Sequence, residues 1–136
     1  MSDAVIDGAR DPAIGNVEVV IRAALVANAI DVLEADAYIL GTPANLGSIS
    51  GALKHFFDQI YYPCLEATVR RPYGLYVHGN NDTAGAVAAV ERITTGLKWR
   101  QAQNPVTVAG DVTPADLAAC RELGAALAAQ LMLDAS

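Results

Sequence analysis

The sequence predicts an α/β domain in which helices cover both faces of a parallel β-sheet. Two runs rich in apolar residues, Asp36–Gly41 and Tyr73–Gly79, end in glycine, as is typical of parallel strands buried on both faces. Between these runs and after them, apolar residues recur at the spacing of an α-helix. Strands that alternate with helices in this way predict a sheet wound by right-handed crossovers.

Four segments have the patterns of β-strands. Asp36–Gly41 stops at a Gly-Thr-Pro turn, and Tyr73–Gly79 repeats its pattern. Val106–Ala109 lies between a proline and a Gly-Asp pair, which predicts a further short strand. Asn16–Arg22 alternates apolar with polar residues, so we expect an edge strand with one face more exposed than the other.

Three segments have the apolar stripes of amphipathic helices. The first stripe comprises Ile49, Ala52, Leu53, Phe56, Phe57 and Ile60. The second stripe comprises Val87, Val90, Thr94 and Leu97. The third stripe comprises Leu117, Cys120, Gly124, Leu127 and Leu131. Ser48 or Ser50 is available to cap the first helix. We expect Asp82 to cap the second, Thr113 to cap the third, and the third to end near Leu133.

Composition and charge indicate the number of domains, the class of partner and the cellular compartment of the protein. A chain of 136 residues with 53% hydrophobic content holds one core, so we expect a single domain over residues 1–136. The net charge of −6, without a cluster of Lys or Arg, argues against nucleic acid and anionic membranes as partners. Cys64 and Cys120 lie far apart, which fits a reducing compartment and not a metal site. Because no signal peptide and no apolar run of about 18 residues is found, we expect a cytoplasmic protein.

Two loops at the carboxyl ends of the predicted strands are the candidate ligand site. In wound parallel sheets, ligands bind in the crevice outside these strand ends. The first, here named the proline loop, comprises Thr42, Pro43, Ala44, Asn45, Leu46 and Gly47. The second, the asparagine loop, comprises His78, Gly79, Asn80 and Asn81. Such loops present backbone groups to a flat heterocycle, and the alternative for each is an ordinary strand-to-helix turn.

Side chains with catalytic chemistry are few. His78 has the pKa range of a general base or proton relay, but its sequence neighbours offer no carboxylate to orient it, and a structural role is the alternative. The sequence contains no GxGxxG, GxxxxGK[ST], GxSxG or HExxH motif. A binding crevice without an evident protein nucleophile or metal site suits an enzyme in which a cofactor performs the chemistry.

One stretch resembles a known family. Residues Ala35–Asp58 resemble the segment ADxxxxGTPxxxGxxSGxLKxFxD of the flavodoxin-like NAD(P)H-dependent FMN reductases, with turn glycines, proline, cap serine and helix face in register. That family includes the tryptophan-repressor-binding-protein type of quinone oxidoreductase. Tyr73–Asn81 resembles its next strand and flavin loop, and Arg92–Trp99 resembles its following helix end. The resemblance extends from about Asp31 to Gly110.

The resemblance implies a flavodoxin-like three-layer sandwich that binds FMN. The proline loop would lie along the isoalloxazine ring, and the asparagine loop would meet its pyrimidine edge. Hydride would pass from NAD(P)H to the flavin and onward to a quinone or similar acceptor, with no catalytic side chain required. A homo-oligomer would be ordinary for this family. Two other functions stay open: a one-electron carrier, and a cofactor-free interaction domain.

The resemblance also implies an N-terminal truncation. Family members begin with a hydrophobic strand and a loop that holds the FMN phosphate at a helix amino terminus, whereas Met1–Arg10 resembles only the latter half of that helix. The missing strand would lie between Asn16–Arg22 and Asp36–Gly41. A start codon assigned too far downstream is the preferred explanation; direct pairing of the two flanking strands and a strand from a second chain are the alternatives. We expect weak FMN binding or none in this form.

Overall fold

The computed structural model describes residues 1–135 and consists of helices around one sheet. Its helices are α1 Ser2–Ala9, α2 Ala29–Glu34, α3 Gly51–Cys64, α4 Ala84–Leu97 and α5 Pro114–Asp134. Its strands are β1 Tyr38–Pro43, β2 Pro72–Gly79, β3 Arg100–Gln101 and β4 Val106–Ala109. The observed strands and helices confirm the predicted α/β class.

All strand pairs of the sheet are parallel, as predicted. β2 lies at the centre, with β1 on one side and β3 and β4 on the other. The register places Pro43 of β1 opposite His78 of β2, and Gly79 of β2 opposite Ala109 of β4. The three long strands therefore end at the same edge, and their following loops are neighbours.

Helices cover both faces of this sheet. Tyr73, Leu75 and Val77 of β2 point into the core on the α3 and α4 side, where the largest fully buried side chains include Phe57 and Ile60. Alternate residues of β2 point to the other face, where Tyr76 packs with residues of α1 and α5. The result is the three-layer sandwich that the sequence predicted.

Trp99 closes the core near the amino-terminal edge of the sheet. Its ring stacks on Tyr38 with centroids 4.3 Å apart, and Nε1 donates a hydrogen bond of 2.8 Å to the Thr68 hydroxyl. The Thr68 hydroxyl donates in turn to the Cys64 carbonyl over 2.8 Å. Because its polar atom is satisfied within the core, Trp99 is a structural residue.

Two of the three predicted helix caps are confirmed, and the prediction of Asp82 as the cap of α4 is wrong. The Ser50 hydroxyl accepts from the Leu53 amide at the start of α3. Thr113 and Asp116 form a complete capping box at the start of α5. At α4, Thr83 occupies the cap position, and the Asp82 carboxylate accepts from the Ala84 amide over 2.9 Å.

The expected edge strand at Asn16–Arg22 is wrong. This segment has no strand structure, and within residues 1–135 the only sheet partner of β1 is β2. Val17 and Val19 are half-buried, whereas Val20 and Ile21 are more than half exposed. Alternation of apolar and polar residues indicates that one side of an extended segment packs against the protein. Such alternation does not indicate whether a neighbouring strand is available to pair with the backbone of the segment.

Smaller differences have similar causes. β1 continues through Pro43 because Pro43 still pairs with His78 of β2. Proline is tolerated there because β1 is an edge strand of the observed sheet. α2 was not predicted, although Asn28 and Asp31 form a capping box at its start. The two-residue strand β3 is too short to show any period.

We expect Gly8→Ala to destabilise the contact between α1 and α5. A Cβ atom at Gly8 would overlap the Arg121 carbonyl, and one at Gly124 would overlap the Val5 carbonyl. Overpacking of this kind lowers the free energy of unfolding by about 1–3 kcal/mol. Gly51→Ala is the matched control, because a Cβ there meets open space at the start of α3 and removes backbone entropy from the unfolded chain. Urea unfolding of both variants checks this. Equal losses of unfolding free energy in the two variants would show that α1 and α5 are not tightly packed at their crossing.

Asp116 gives the protein an acid-sensitive helix cap. Hydrogen bonds from the Thr113 amide and hydroxyl lower the pKa of the Asp116 carboxyl below its ordinary value. Because the folded-state pKa is depressed, this contribution is present above the unfolded-state pKa of about 3.9 and is lost as pH falls through the folded-state pKa. In Asp116→Asn we expect the urea midpoint to fall less between about pH 5 and pH 2 than in the wild type. Identical slopes for the two proteins would contradict this.

Candidate functional site

The proline loop and the asparagine loop lie in direct contact at the carboxyl edge of the sheet. The Ala44 amide donates a hydrogen bond of 2.9 Å to the His78 carbonyl, which continues the β1–β2 ladder into the loops. A Cβ atom at Gly79 would lie 2.8 Å from the Ala44 side chain, so glycine permits this close approach. The two loops therefore form one continuous surface.

A tight turn forms the tip of the proline loop. Asn45 and Ser48 exchange two backbone hydrogen bonds of 2.8 and 2.9 Å. Leu46 and Gly47 between them have φ values of 49° and 75°, in the left-handed region. Positive φ at both central residues is characteristic of a type I′ turn. The Gly47 carbonyl packs against Gly85 of α4 so closely that a Cβ there would overlap it. The tip is thus held in place by α4.

Thr42 fixes the base of the same loop. Its side chain is buried; the hydroxyl donates to the Pro43 carbonyl over 2.8 Å and accepts from the Ser50 amide over 3.0 Å. These bonds join the end of β1 to the start of α3. Thr42 therefore supports the loop from within.

The structure divides the ten predicted site residues into two groups. Seven are exposed at the sheet edge: Pro43, Asn45, Leu46, Gly47, His78, Asn80 and Asn81. The other three are covered to different degrees: Thr42, Ala44 and Gly79. The exposed group can contact a ligand, whereas the covered group holds the two loops together. That these residues bind a cofactor stays a prediction.

A third loop, at Gly110, joins the site and is not among the loops predicted from the sequence. His78 Nε2 lies 2.6 Å from the Gly110 carbonyl, and the Gly110 amide donates to the Gly79 carbonyl over 2.8 Å. Because a carbonyl only accepts, this contact requires a proton on Nε2, and Nδ1 can accept a hydrogen bond only when the ring carries no second proton. The available signal was the Gly-Asp pair after β4, which ends that strand as Gly79 ends β2.

A cavity of about 370 Å³ opens beside these loops on the α1 and α5 side of the sheet. Its lining residues are Met1, Gly41, Thr42, Pro43, Tyr76, His78 and Val112. Burial raises the pKa of the Tyr76 hydroxyl above its ordinary value, so this group stays protonated and can donate a hydrogen bond. Tyr76 was also missed, although it lies two residues before His78 and so shares its face of β2.

Other chemistry is limited in the described part of the chain. Residues 1–135 contain no group of three or more His, Cys, Asp or Glu side chains that could hold a metal ion. Cys64 and Cys120 are free and buried, and burial raises the pKa of both thiols, which disfavours the reactive thiolate. No helix among the described residues is long and apolar enough to cross a membrane. The site thus offers the side-chain amides of its asparagines, one imidazole and one phenol.

Comparison with protein families decides the assignment. Residues 22–113, more than half of the chain, match the model of the family described as NADPH-dependent FMN reductase. The chain belongs to the NADPH-dependent FMN reductase family. This confirms the resemblance seen at Ala35–Asp58, and it makes FMN the cofactor expected from family membership, with NAD(P)H as the fitting reductant. No curated protein matches the chain.

Solved structures share the fold of this FMN reductase family member. The flavodoxin, WrbA-like protein from Agrobacterium tumefaciens aligns with a TM-score of 0.75 and 18% identity over 97% of this chain and 87% of its own. Megasphaera elsdenii flavodoxin aligns with a TM-score of 0.73 and 22% identity over 93% of this chain and 87% of its own. Rubredoxin oxygen:oxidoreductase from Desulfovibrio gigas aligns with a TM-score of 0.65 and 18% identity over 75% of this chain and 24% of its own. At these identities the comparison shows the flavodoxin-like fold alone.

The exposed loop residues fit the ring end of FMN. The exposed residues Asn45, Asn80 and Asn81 bring side-chain amides to this edge, and such groups can bond to the polar rim of a flat heteroaromatic ring. The residues from 42 to 50, 78 to 83 and 110 to 113 include no Lys or Arg, so these loops offer the phosphate no cationic side chain. The expectation of weak FMN affinity in this form stays a prediction.

We expect Gly85→Ala to displace the tip of the proline loop. Its new Cβ would overlap the Gly47 carbonyl, which is backbone and can move only with the whole turn. FMN affinity should fall about tenfold, equivalent to about 1.4 kcal/mol. Gly96→Ala on the same helix is the control, because its Cβ would meet the outer end of the Tyr61 side chain and no backbone atom of a ligand loop. Fluorescence titration with FMN checks this. Equal affinities in both variants would show that α4 does not position the loop.

Proposed function

We propose that this family member is an FMN-dependent NAD(P)H oxidoreductase that reduces a quinone or a similar small acceptor. The direct contact between the proline loop and the asparagine loop carries the proposal. The Ala44–His78 hydrogen bond places both loops on one edge, and family membership supplies the cofactor expected there. The assignment of the ten loop residues to flavin binding is part of the proposal.

The chemistry requires an electron carrier that the side chains do not provide. When bound, FMN supplies two-electron redox chemistry. In one turnover NAD(P)H gives up a hydride, a second proton comes from solvent, and the quinone leaves as a hydroquinone while NAD(P)⁺ is released. The backbone groups of the two loops orient the reactants. This positioning is the main contribution of the protein.

Two side chains can hold protons beside the loops. The Tyr76 hydroxyl stays protonated because burial raises its pKa, and it lies beside the Ser2 side chain at the cavity that Tyr76 lines. His78 keeps its Nε2 proton on the Gly110 carbonyl and presents Nδ1 as an acceptor when neutral. In this proposal both residues position the bound reactants, and neither acts as an obligatory acid or base.

The setting of the reaction is also proposed. The two free cysteines support a cytoplasmic location, because reducing compartments keep thiols unpaired. We propose a homo-oligomer, for which the exposed apolar residues Leu25, Val26 and Ile30 offer contact area. The reductant and the acceptor are small molecules, because the negative charge does not favour nucleic acid.

The decisive experiment combines FMN titration with steady-state turnover. We expect FMN to bind with a Kd above about 1 μM, and FMN-saturated protein to oxidise NADH or NADPH faster when a quinone is present than with the quinone omitted. Free FMN at the same concentration is the control. FMN binding without NAD(P)H oxidation would instead indicate an electron carrier. Absence of binding up to about 1 mM FMN would indicate a cofactor-free interaction domain.

We expect His78→Gln to lower kcat by less than tenfold in the FMN-saturated enzyme. Glutamine can still donate a hydrogen bond toward Gly110, and the proposed mechanism needs no side-chain base. An obligatory general base contributes about 10²–10⁴-fold. Steady-state kinetics between pH 5.5 and pH 8, a range chosen to bracket the ordinary histidine pKa of about 6.5, separates the two cases. A loss of a hundredfold or more would make His78 catalytic.

A further inference from the structure

Leu46 combines two unfavourable features at the tip of the proline loop. Its φ of 49° lies in the left-handed region, which leucine rarely adopts and which favours Gly, Asn and Asp. Its side chain is fully exposed, at 106% of the reference area for leucine, the highest value among the exposed large apolar residues. A leucine held in the left-handed region at the tip of a candidate ligand loop is a backbone outlier of the kind that clusters at ligand-binding sites, and it is the observation from which we start.

The turn cannot relieve these features by moving. The Asn45–Ser48 backbone pair closes it, and the Gly47 carbonyl is packed against Gly85 of α4. The Ala44 amide further ties the loop to the His78 carbonyl. Leu46 is therefore held outward by three separate contacts of its neighbours, at the edge where the asparagine loop also lies. A rigid apolar group of this kind is already organised for binding, which limits the entropy lost on contact.

We propose that Leu46 is a specificity-determining residue that contacts the ring of an apolar, planar electron acceptor. This inference rests on the proposed function, because it assumes that the acceptor reaches this edge. The side chain has no covering residue in the described part of the chain, so its partner arrives from solvent. The other residues at the loop tips, Asn45, Asn80 and Asn81, are polar. Leu46 is thus the apolar group that would favour a quinone ring over a small charged acceptor.

The test uses two substitutions at Leu46. Leu46→Asn removes the apolar contact but suits the left-handed backbone better, so we expect Tm to rise by about 2–5 °C. Leu46→Met keeps an apolar side chain of similar volume without the better backbone fit. Leu25→Asn is the matched control for loss of an exposed leucine outside the ligand loops.

The readout is binding of 1,4-naphthoquinone to oxidised, FMN-saturated protein without any reductant, measured by isothermal titration. We expect Leu46→Asn to raise the naphthoquinone Kd about tenfold, and Leu46→Met and Leu25→Asn to change it by less than about threefold. The FMN Kd of Leu46→Asn should change less than its naphthoquinone Kd. An unchanged naphthoquinone Kd, or a larger effect on FMN than on naphthoquinone, would overturn the role of Leu46.

Turnover of the wild-type protein separates this inference from the proposed function. FMN-saturated wild type should oxidise NAD(P)H with naphthoquinone, and Leu46→Asn should raise the KM for naphthoquinone relative to that for ferricyanide, an acceptor without an apolar ring. If the wild type turns over but this ratio does not move, Leu46 has no role in selecting the acceptor. If the wild type binds no FMN or fails to oxidise NAD(P)H with either acceptor, the proposed function itself is wrong.

Discussion

The parallel pairing of β1 with β2 is the constraint on which the rest of the structure depends. Its register places Pro43 opposite His78, and the Ala44 amide extends the ladder by one more hydrogen bond to the His78 carbonyl. A shift of one residue would turn Tyr38 and Leu40 out of the core. The apolar burial that fixes this register therefore also fixes the contact between the two loops.

The two ends of the sheet have different roles because of what packs there. Near the amino-terminal edge, Trp99 stacks on Tyr38, and Arg71 donates hydrogen bonds to carbonyls at the end of α2. At the carboxyl edge, close approaches of backbone replace side-chain packing, as at Gly79 and Gly85. One end is sealed by side chains, whereas the other consists of loops whose tips are exposed.

The sequence specified the elements whose burial follows from local pattern. Val106–Ala109 was predicted at its observed bounds, and Ser50 and Thr113 cap their helices as expected. It failed at Asn16–Arg22, because a period of two records which side of an extended chain is covered and carries no information about a pairing strand. Strand β3 was not detectable from pattern because two residues hold no period.

The candidate site was predictable to a similar extent. The positions of the proline and asparagine loops followed from where two apolar runs end. The Gly110 loop required knowledge that β4 lies beside β2, and Tyr76 required the face of β2 that turns toward α5. The left-handed backbone of Leu46 could not be read from the sequence, because leucine is not a residue that marks such a turn.

Mapping of FMN contacts by amide NMR tests the central claim most directly. In two-dimensional amide spectra recorded during FMN addition, we expect shifts at Asn45–Ser48 and His78–Asp82 together, at the same FMN concentrations. Amides near Arg71 and Arg100, at the opposite edge of the sheet, should not move. Shifts confined to the segment from Leu25 to Ile30, or to only one of the two loops, would contradict a shared ring site at the carboxyl edge.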